Sequence, residues 1–302
     1  MSLSRREFLA FGAGAVGVGL AGRVLAQKTP TTNSTFEGGD VLARLLKTAN
    51  QETWHALPIG DLVGVTGLAL IGTPYVGGTL ETSDDTEACF VSLTRLDCVT
   101  FYEACLGFAR VVKKSKGRLT PESARPKLLK EIESMRYRGG HADGYLSRLH
   151  YTSDYFFDND RRKIMRLITK YLPGAVATDK PLDFMSTHPN SYRQLKAHPE
   201  WVPRLAELEK QWTARKPMYI PNEVIPMVES LLETGDLIGI ATSAHGLDTS
   251  HTGICLRDRE GALRILHASS AHKQVELGPR LADYLGSVKK DIGIMVARPL
   301  EP

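Results

Sequence analysis

A cysteine where a helix should begin, and two histidines on neighbouring strand-like segments, are the residues of this chain best suited to chemistry. Cys98 stands in Leu96-Asp97-Cys98-Val99-Thr100-Phe101. Roughly 150 residues downstream, Ser250-His251-Thr252-Gly253-Ile254 is followed by Leu266-His267-Ala268-Ser269. A thiol hydrolase needs these side-chain types: a Cys nucleophile, a His that takes its proton, and a second polar group that holds that His in the useful tautomer. Cys98, His251 and His267 are therefore the catalytic candidates.

The same residues have other readings. A zinc site built from Cys98, His251 and His267 is chemically conceivable, but no C-x-x-C or H-x-x-x-H pair preorganises it, so no metal or other cofactor is expected. Four cysteines could form two disulfides in an oxidising compartment. Cys105 lies two helical turns beyond Cys98, about 10 Å along a helix and too far to bridge. Cys105 and Cys255 sit in apolar contexts and read as buried thiols. A Cys89–Cys98 disulfide is the alternative that would remove the nucleophile. His245 and His272 fall in loops and receive no role.

The elements that must place these residues are legible in part. Asp97 is an N-cap candidate, and Val99, Tyr102, Cys105, Leu106, Ala109 and Val112 follow at helical spacing, with Lys113 and Lys114 at the far end. This puts Cys98 in the first turn, where exposed N–H groups and the positive dipole end favour a thiolate. Earlier helices are expected over 41–49 and 59–71, the second ended by Gly72-Thr73-Pro74, and a later one from Thr120-Pro121 to Met135. The C-terminal third reads as short strands: 237–241 after Gly235-Asp236, then 253–256 and 263–267 around the turn Asp258-Arg259-Glu260-Gly261, and finally 292–297. Antiparallel pairing there brings His251 and His267 close on one face. Helices followed by antiparallel strands mean α+β.

The middle, 136–217, is the least readable part. Arg136-Tyr137-Arg138-Gly139-Gly140 and Tyr151-Thr152-Ser153-Asp154-Tyr155 are polar-aromatic segments of the kind that line sugar or peptide clefts, or equally an ordinary surface loop. Residues 163–172 fit strand or helix. Residues 192–215 fit one helix or two, broken near His198-Pro199.

Residues 1–26 read as a twin-arginine export signal: Ser4-Arg5-Arg6-Glu7-Phe8-Leu9, a short Gly/Ala-rich apolar run, and the cleavage site Val24-Leu25-Ala26. The run is too short to span a bilayer, so no stable membrane insertion is expected after processing. The expectation is a periplasmic or extracellular protein handled by the twin-arginine machinery, with 27–38 a flexible lead-in and 39–302 a single domain. Without the signal's three Arg and one Glu, the formal charge falls from +4 to +2. That balance, with no basic block, argues against nucleic acid.

In order, Gly72-Thr73-Pro74-Tyr75-x-Gly77-Gly78, Asp97-Cys98, Gly235-Asp236-Leu237, His251-x-Gly253-Ile254 and His267-Ala268-Ser269 resemble the NlpC-type cell-wall cysteine hydrolases. The resemblance runs from about residue 59 to 297. It implies a papain-like α+β core with the nucleophile at a helix N-terminus packed on an antiparallel sheet, Cys98 as nucleophile, His251 as base and His267 as orienting member. It implies also that Tyr75 and Asp97 line the pocket. Val99 stands where most of that superfamily has a Ser used to grip a free L-Ala amine, the aromatic between Tyr75 and Gly77-Gly78 is missing, and the Gly78–Cys98 gap is longer than usual.

Those departures resemble one branch, the N-acetylmuramoyl-L-alanine amidase-like proteins, first catalogued as a domain of unknown function. Its segments appear here as Thr73-Pro74-Tyr75-Val76-x-x-Thr79-Leu80-Glu81, the Cys98 segment, Arg148-Leu149-x-Tyr151, Phe184-Met185-Ser186-x-His188-Pro189 and Gly246-Leu247-Asp248-x-Ser250-His251. The branch implies cleavage of the lactyl–L-Ala amide of peptidoglycan fragments (muropeptides). The residues 118–217 would form a mostly helical or irregular insertion that walls the cleft, with Arg138 and Tyr151 binding substrate inside it and Ser250 beside His251. The alternatives are a γ-D-glutamyl-type stem-peptide endopeptidase using the same triad and a non-catalytic peptidoglycan-binding module.

Overall fold

The computed structural model describes residues 35–116 and 119–302. The expected export signal and most of the expected lead-in lie outside the described residues. The last part of that lead-in is ordered, because Thr35–Glu37 (β1) pairs in parallel with Phe90–Ser92 (β2). Gly39–Gln51 (α1) and Ile59–Ala69 (α2) follow, then Cys98–Lys114 (α3) and Pro121–Arg136 (α4).

Helix α3 starts where Asp97 predicts. The carboxylate accepts from the Val99 and Thr100 N–H groups at 3.1 and 2.8 Å, and the Asp97 N–H donates back to Thr100 Oγ1 at 2.9 Å. This reciprocal cap satisfies donors that a helix end leaves open. Thr120 caps α4 in the same manner, with Pro121 in its first turn. The apolar spacing of α3 suggests one buried face, yet every residue from Thr100 to Val112 is buried. The helix is enclosed between α2, α4 and the sheet, and its two buried charges are paired: Glu103 with Arg136, Arg110 with Glu131.

The middle segment folds into the same body. Thr152–Arg161 forms α5, Met165–Leu167 (β3) and Val176–Ala177 (β4) are short strands, and Val202–Ala214 is α6. Residues 163–172 thus contain a strand and then a 3-10 turn at Thr169–Tyr171. Residues 192–215 contain two helices, Arg193–Ala197 and α6, separated at His198-Pro199 as the sequence suggests. The segment has its own small core, in which Tyr145, Tyr151, Met185, Leu205 and Trp212 pack together.

The last third supplies Met218–Pro221 (β5), Leu237–Thr242 (β6), Thr249–Arg257 (β7), Leu263–Ser269 (β8), Gln274–Arg280 (β9), the helix Leu281–Gly286 (α7) and Asp291–Pro299 (β10). The spatial order is β4-β5-β10-β6-β7-β8-β9, with β3 also on β10, and all of these pairs are antiparallel. The molecule is α+β. Gly235, two residues before β6, has φ +89°, and a Cβ there would stand 2.3 Å from the Gly60 carbonyl oxygen. The glycine is what allows the start of α2 to lie against the sheet.

Alternation along β7 and β8 sorts the two faces. Ile254, Leu256, Leu266 and Ala268 join Phe101 and Leu106 in the main core under α3. Cys255, Leu263 and Ile265 join Leu281 and Leu285 of α7 in a second core on the opposite side. By the same alternation, His251 and His267 belong to the α7 side and Thr252 to the α3 side.

Candidate active site

Cys98 and His251 both line one cleft of about 660 Å³. It opens at the start of β7, where Leu247 to Thr252 all reach it, and where Asp97, Cys98 and Val99 contribute the first turn of α3. A register shift between Ile240 and Ala241 leaves Ser250 as an extra residue on β7. Such a bulge re-aims side chains at a strand end, and here adjacent residues of opposite parity share the cleft.

His251 Nε2 lies 2.7 Å from His267 Nδ1. Pairing of Ile254 with Leu266 places His267 opposite Gly253 and diagonal to His251, as the hairpin turn at 258–261 predicts. His267 is 2 % exposed, and Tyr284 of α7 covers both rings at centroid distances of 5.2 and 6.2 Å. The contact with His267 takes Nε2 of His251 and leaves Nδ1 as its other ring nitrogen. Zinc bound by both facing nitrogens at about 2.0–2.1 Å in tetrahedral geometry would hold them well over 3 Å apart, so this pair is a hydrogen bond.

Burial, then His267, push the His251 imidazole down to about 3. Burial also lowers His267, against the charge of Glu276. Burial and the adjoining Asp97 carboxylate push the Cys98 thiol up to about 11, with Thr252 beside the sulfur opposing them. Burial and the Asp97 charge thus work against the thiolate that the helix N-terminus was expected to favour. All three shifts favour the uncharged forms.

The other expected site residues divide. Tyr75 is held next to the start of α3 by two bridges, Pro74 to Gln274 and Tyr75 to Leu96, but it is not among the residues that line the cleft. Burial raises its phenol, and Cys98 and Asp97 raise it further, as a ring beside them would feel. Asp97 lines the cleft, but its oxygens serve the α3 cap and accept from Thr79 Oγ1 at 3.1 Å. Its task in the fold is to place Cys98. Ser250 lines the cleft and donates to Asp291 Oδ1 at 2.6 Å. Tyr151 reaches the cleft with its ring alone, because its hydroxyl donates to Glu209 Oε1 at 2.7 Å.

Arg138 is not brought to the cleft: it pairs with the buried Asp154 at 2.6 Å and stacks over Trp212. Arg136 and Tyr137, which a cleft-lining or loop reading would expose, are buried. Arg136 pairs with Glu103 at 2.7 Å, and Tyr137 donates to Glu87 Oε1 at 2.7 Å. Their polar ends are satisfied inside the protein, which a string of residue types does not reveal. All four cysteines are free, and Cys89 packs against Arg136.

Sequence reasoning missed Thr252, Tyr284 and Glu276, the carboxylate beside His267. Strand alternation next to His251 was the signal for Thr252, and the β8–β9 register for Glu276. It also missed that Arg148 and Glu81, paired at 2.9 Å, form the cleft wall facing the site. From the middle segment, Leu149 to Thr152, Met185 and Tyr192 complete the wall.

A model of the AmiA-like family, described as N-acetylmuramoyl-L-alanine amidase-like, matches residues 56–294. No functionally curated protein matches the chain. Among solved structures, an N-acetylmuramoyl-L-alanine amidase from Bacteroides uniformis is 29 % identical with a TM-score of 0.71, over 80 % of this chain and 99 % of that one. A Bacteroides fragilis protein described as a candidate xylanase is 34 % identical with a TM-score of 0.68, over 78 % and 99 %. A Legionella pneumophila protein at 22 % identity and TM-score 0.62, over 87 % and 94 %, shares the fold. With most of its length matched and its cleft at the motifs that carry the resemblance, this chain belongs to the AmiA-like family of N-acetylmuramoyl-L-alanine amidase-like proteins.

Proposed function

We propose that the protein is a thiol-dependent N-acetylmuramoyl-L-alanine amidase that cleaves the lactyl–L-Ala amide of muropeptides with Cys98, His251 and His267. The observation that carries the reading is the 2.7 Å contact between His251 and His267 at the cleft that holds Cys98. Family membership supports the amidase class. The Cys98 proton passes to His251 Nδ1 as the sulfur attacks the lactyl carbonyl carbon. The Val99 and Thr100 N–H groups are taken by the Asp97 cap, which leaves the Cys98 N–H, with the Tyr75 hydroxyl, as the candidate donors to the oxyanion that forms. The C–N bond then breaks as His251 protonates the leaving L-Ala nitrogen, which frees the peptide. Water, deprotonated by the same His, hydrolyses the thioester and releases the lactyl carboxylate. The resting neutral pair is suited to this order, because His251 starts as a base and Cys98 keeps its proton until substrate arrives.

A sugar-cleaving reading has less support. Glycoside hydrolysis takes two carboxyl groups facing the glycosidic bond. The cleft carboxylates are occupied: Glu81 by Arg148, Asp97 by the helix cap, and Asp248 by the Ser153 and Thr249 N–H groups at 2.6 and 2.7 Å.

The setting follows from the sequence: export by the twin-arginine route, removal of residues 1–26, and action in the periplasm or outside the cell as one papain-like domain of the NlpC type. No helix among the described residues is long and apolar enough to cross a membrane. The test uses protein from residue 27 and its Cys98→Ala variant, incubated with purified muropeptides and read by mass spectrometry. Free disaccharide plus free peptide, absent with the variant, is the expected result. Peptide fragments with the sugar attached would move the protein to the endopeptidases, and binding without turnover would make it a recognition module.

A further inference from the structure

His267 has a second partner on its far side. The β8–β9 register pairs His267 with Glu276, so both side chains leave the sheet on one face. Glu276 Oε1 lies 3.4 Å from His267 Nε2. That nitrogen is buried and makes no well-aligned hydrogen bond. The same carboxylate accepts from the exposed His272 at Nδ1, at 2.7 and 2.8 Å. The chain thus runs from the cleft to the surface: His251, His267, Glu276, His272.

The 2.7 Å contact between two neutral imidazoles holds one proton, and its position decides whether the site works. If His267 carries it on Nδ1, His251 accepts at Nε2, its own proton sits on Nδ1, and no lone pair remains for the thiol. If His251 carries it on Nε2, Nδ1 is a bare base. An ionised carboxylate only accepts, so a carboxylate opposite His267 Nε2 favours the proton there. That leaves His267 Nδ1 bare and forces His251 to donate from Nε2.

We propose that Glu276 is a positioning residue that acts through His267 to fix the tautomer in which His251 Nδ1 accepts the Cys98 proton. The inference rests on the reading of His251 as base and adds a fourth member to its relay. The other groups facing His267 do not compete for the role: His251 is its partner on β7, Tyr284 of α7 offers a ring face, and His272 lies beyond the carboxylate. The charge of Glu276 also opposes the desolvation of a protonated His267. A 3.4 Å separation is loose for the resting state, and it has room to tighten when His251 becomes an imidazolium during turnover.

The test compares Glu276→Ala, Glu276→Gln and His272→Ala in protein with 15N-labelled histidine. The imidazole nitrogen shifts distinguish a protonated from a bare nitrogen without any turnover. Wild type is expected to show His267 bare at Nδ1, and Glu276→Ala to show protonation there. With muropeptides, kcat should fall about tenfold or more in Glu276→Ala with KM unchanged, the size of effect that orienting partners of a working His carry. Glu276→Gln is near-isosteric, keeps a carbonyl acceptor, and should retain an intermediate kcat. His272→Ala keeps the carboxylate opposite His267 Nε2 and should leave His267 bare at Nδ1. An unchanged His267 tautomer with unchanged kcat in Glu276→Ala and Glu276→Gln would overturn the proposal. Full activity in Cys98→Ala would instead sink the thiol reading and leave the tautomer measurement standing alone.

Discussion

His251 Nε2 and His267 Nδ1 face each other at 2.7 Å with their rings at 81°. The contact is made between strands and not by sequence neighbours, so it depends on the β7–β8 register. A one-residue slip would send one ring to the α3 face. His251→Ala removes the proton acceptor, and kcat for muropeptide cleavage should drop by about 10²–10⁴, the range for a lost general base. His267→Ala keeps the acceptor and frees its orientation. Its loss should be smaller, with KM unmoved in both variants. Equal kcat for His267→Ala and wild type would leave His267 without an orienting role.

The resting protonation state has its own test. Because burial and Asp97 push Cys98 up to about 11, alkylation by iodoacetamide should be slow at pH 7 and rise toward an inflection near that value. Because His251 is pushed down to about 3, its lowered value means protonation is resisted until the pH falls far below the ordinary histidine range. The acid limb of kcat/KM should therefore be missing near pH 6.5. An alkylation inflection below pH 7 would mean that the thiolate–imidazolium pair is the resting form.

Asp97 has two effects that one substitution separates. Its carboxylate caps α3 and raises the adjoining thiol. Asn preserves a cap acceptor but carries no charge. Asp97→Asn should hold the melting temperature close to wild type and speed alkylation of Cys98 at pH 8. Asp97→Ala should also lose about 1 kcal/mol of stability with the cap. If Asp97→Asn leaves the alkylation rate at pH 8 unchanged, charge is not what restrains the thiol.

The contrast between Asp97 and Arg138 shows what was legible in the sequence. Asp97, Cys98 and the helix beyond could be read because caps and helical spacing are local rules. The two histidines could be read because a short turn fixes which strands pair. Arg138 and Arg136 could not be placed. Whether an arginine points into a cleft or into a core depends on a distant carboxylate, here Asp154 and Glu103. Neither lies at a spacing that names it. Of the antiparallel sheet, β6, β7, β8 and β10 were legible and β9 was missed; missed too were the short strands β3, β4 and β5. They are two to four residues long and gain their identity only by docking on β10 or on one another.

The Arg136–Glu103 pair also makes a stability prediction. The two side chains are 3 % and 1 % exposed, and Arg136 reaches the Phe90 carbonyl as well as the carboxylate. Burial raises the Glu103 carboxyl and the guanidinium opposes it. Arg136→Met leaves that carboxyl in the core without its cation, which typically costs about 3–5 kcal/mol. Arg136→Met combined with Glu103→Leu removes both charges and keeps much of the volume, so the double variant should recover most of the loss. The β1–β2 region would still feel the missing Phe90 contact. Urea unfolding of the three variants reads the difference directly. A double variant no more stable than Arg136→Met would show that the guanidinium is held for its other contacts, and that the buried Glu103 charge is not what the single variant suffers from.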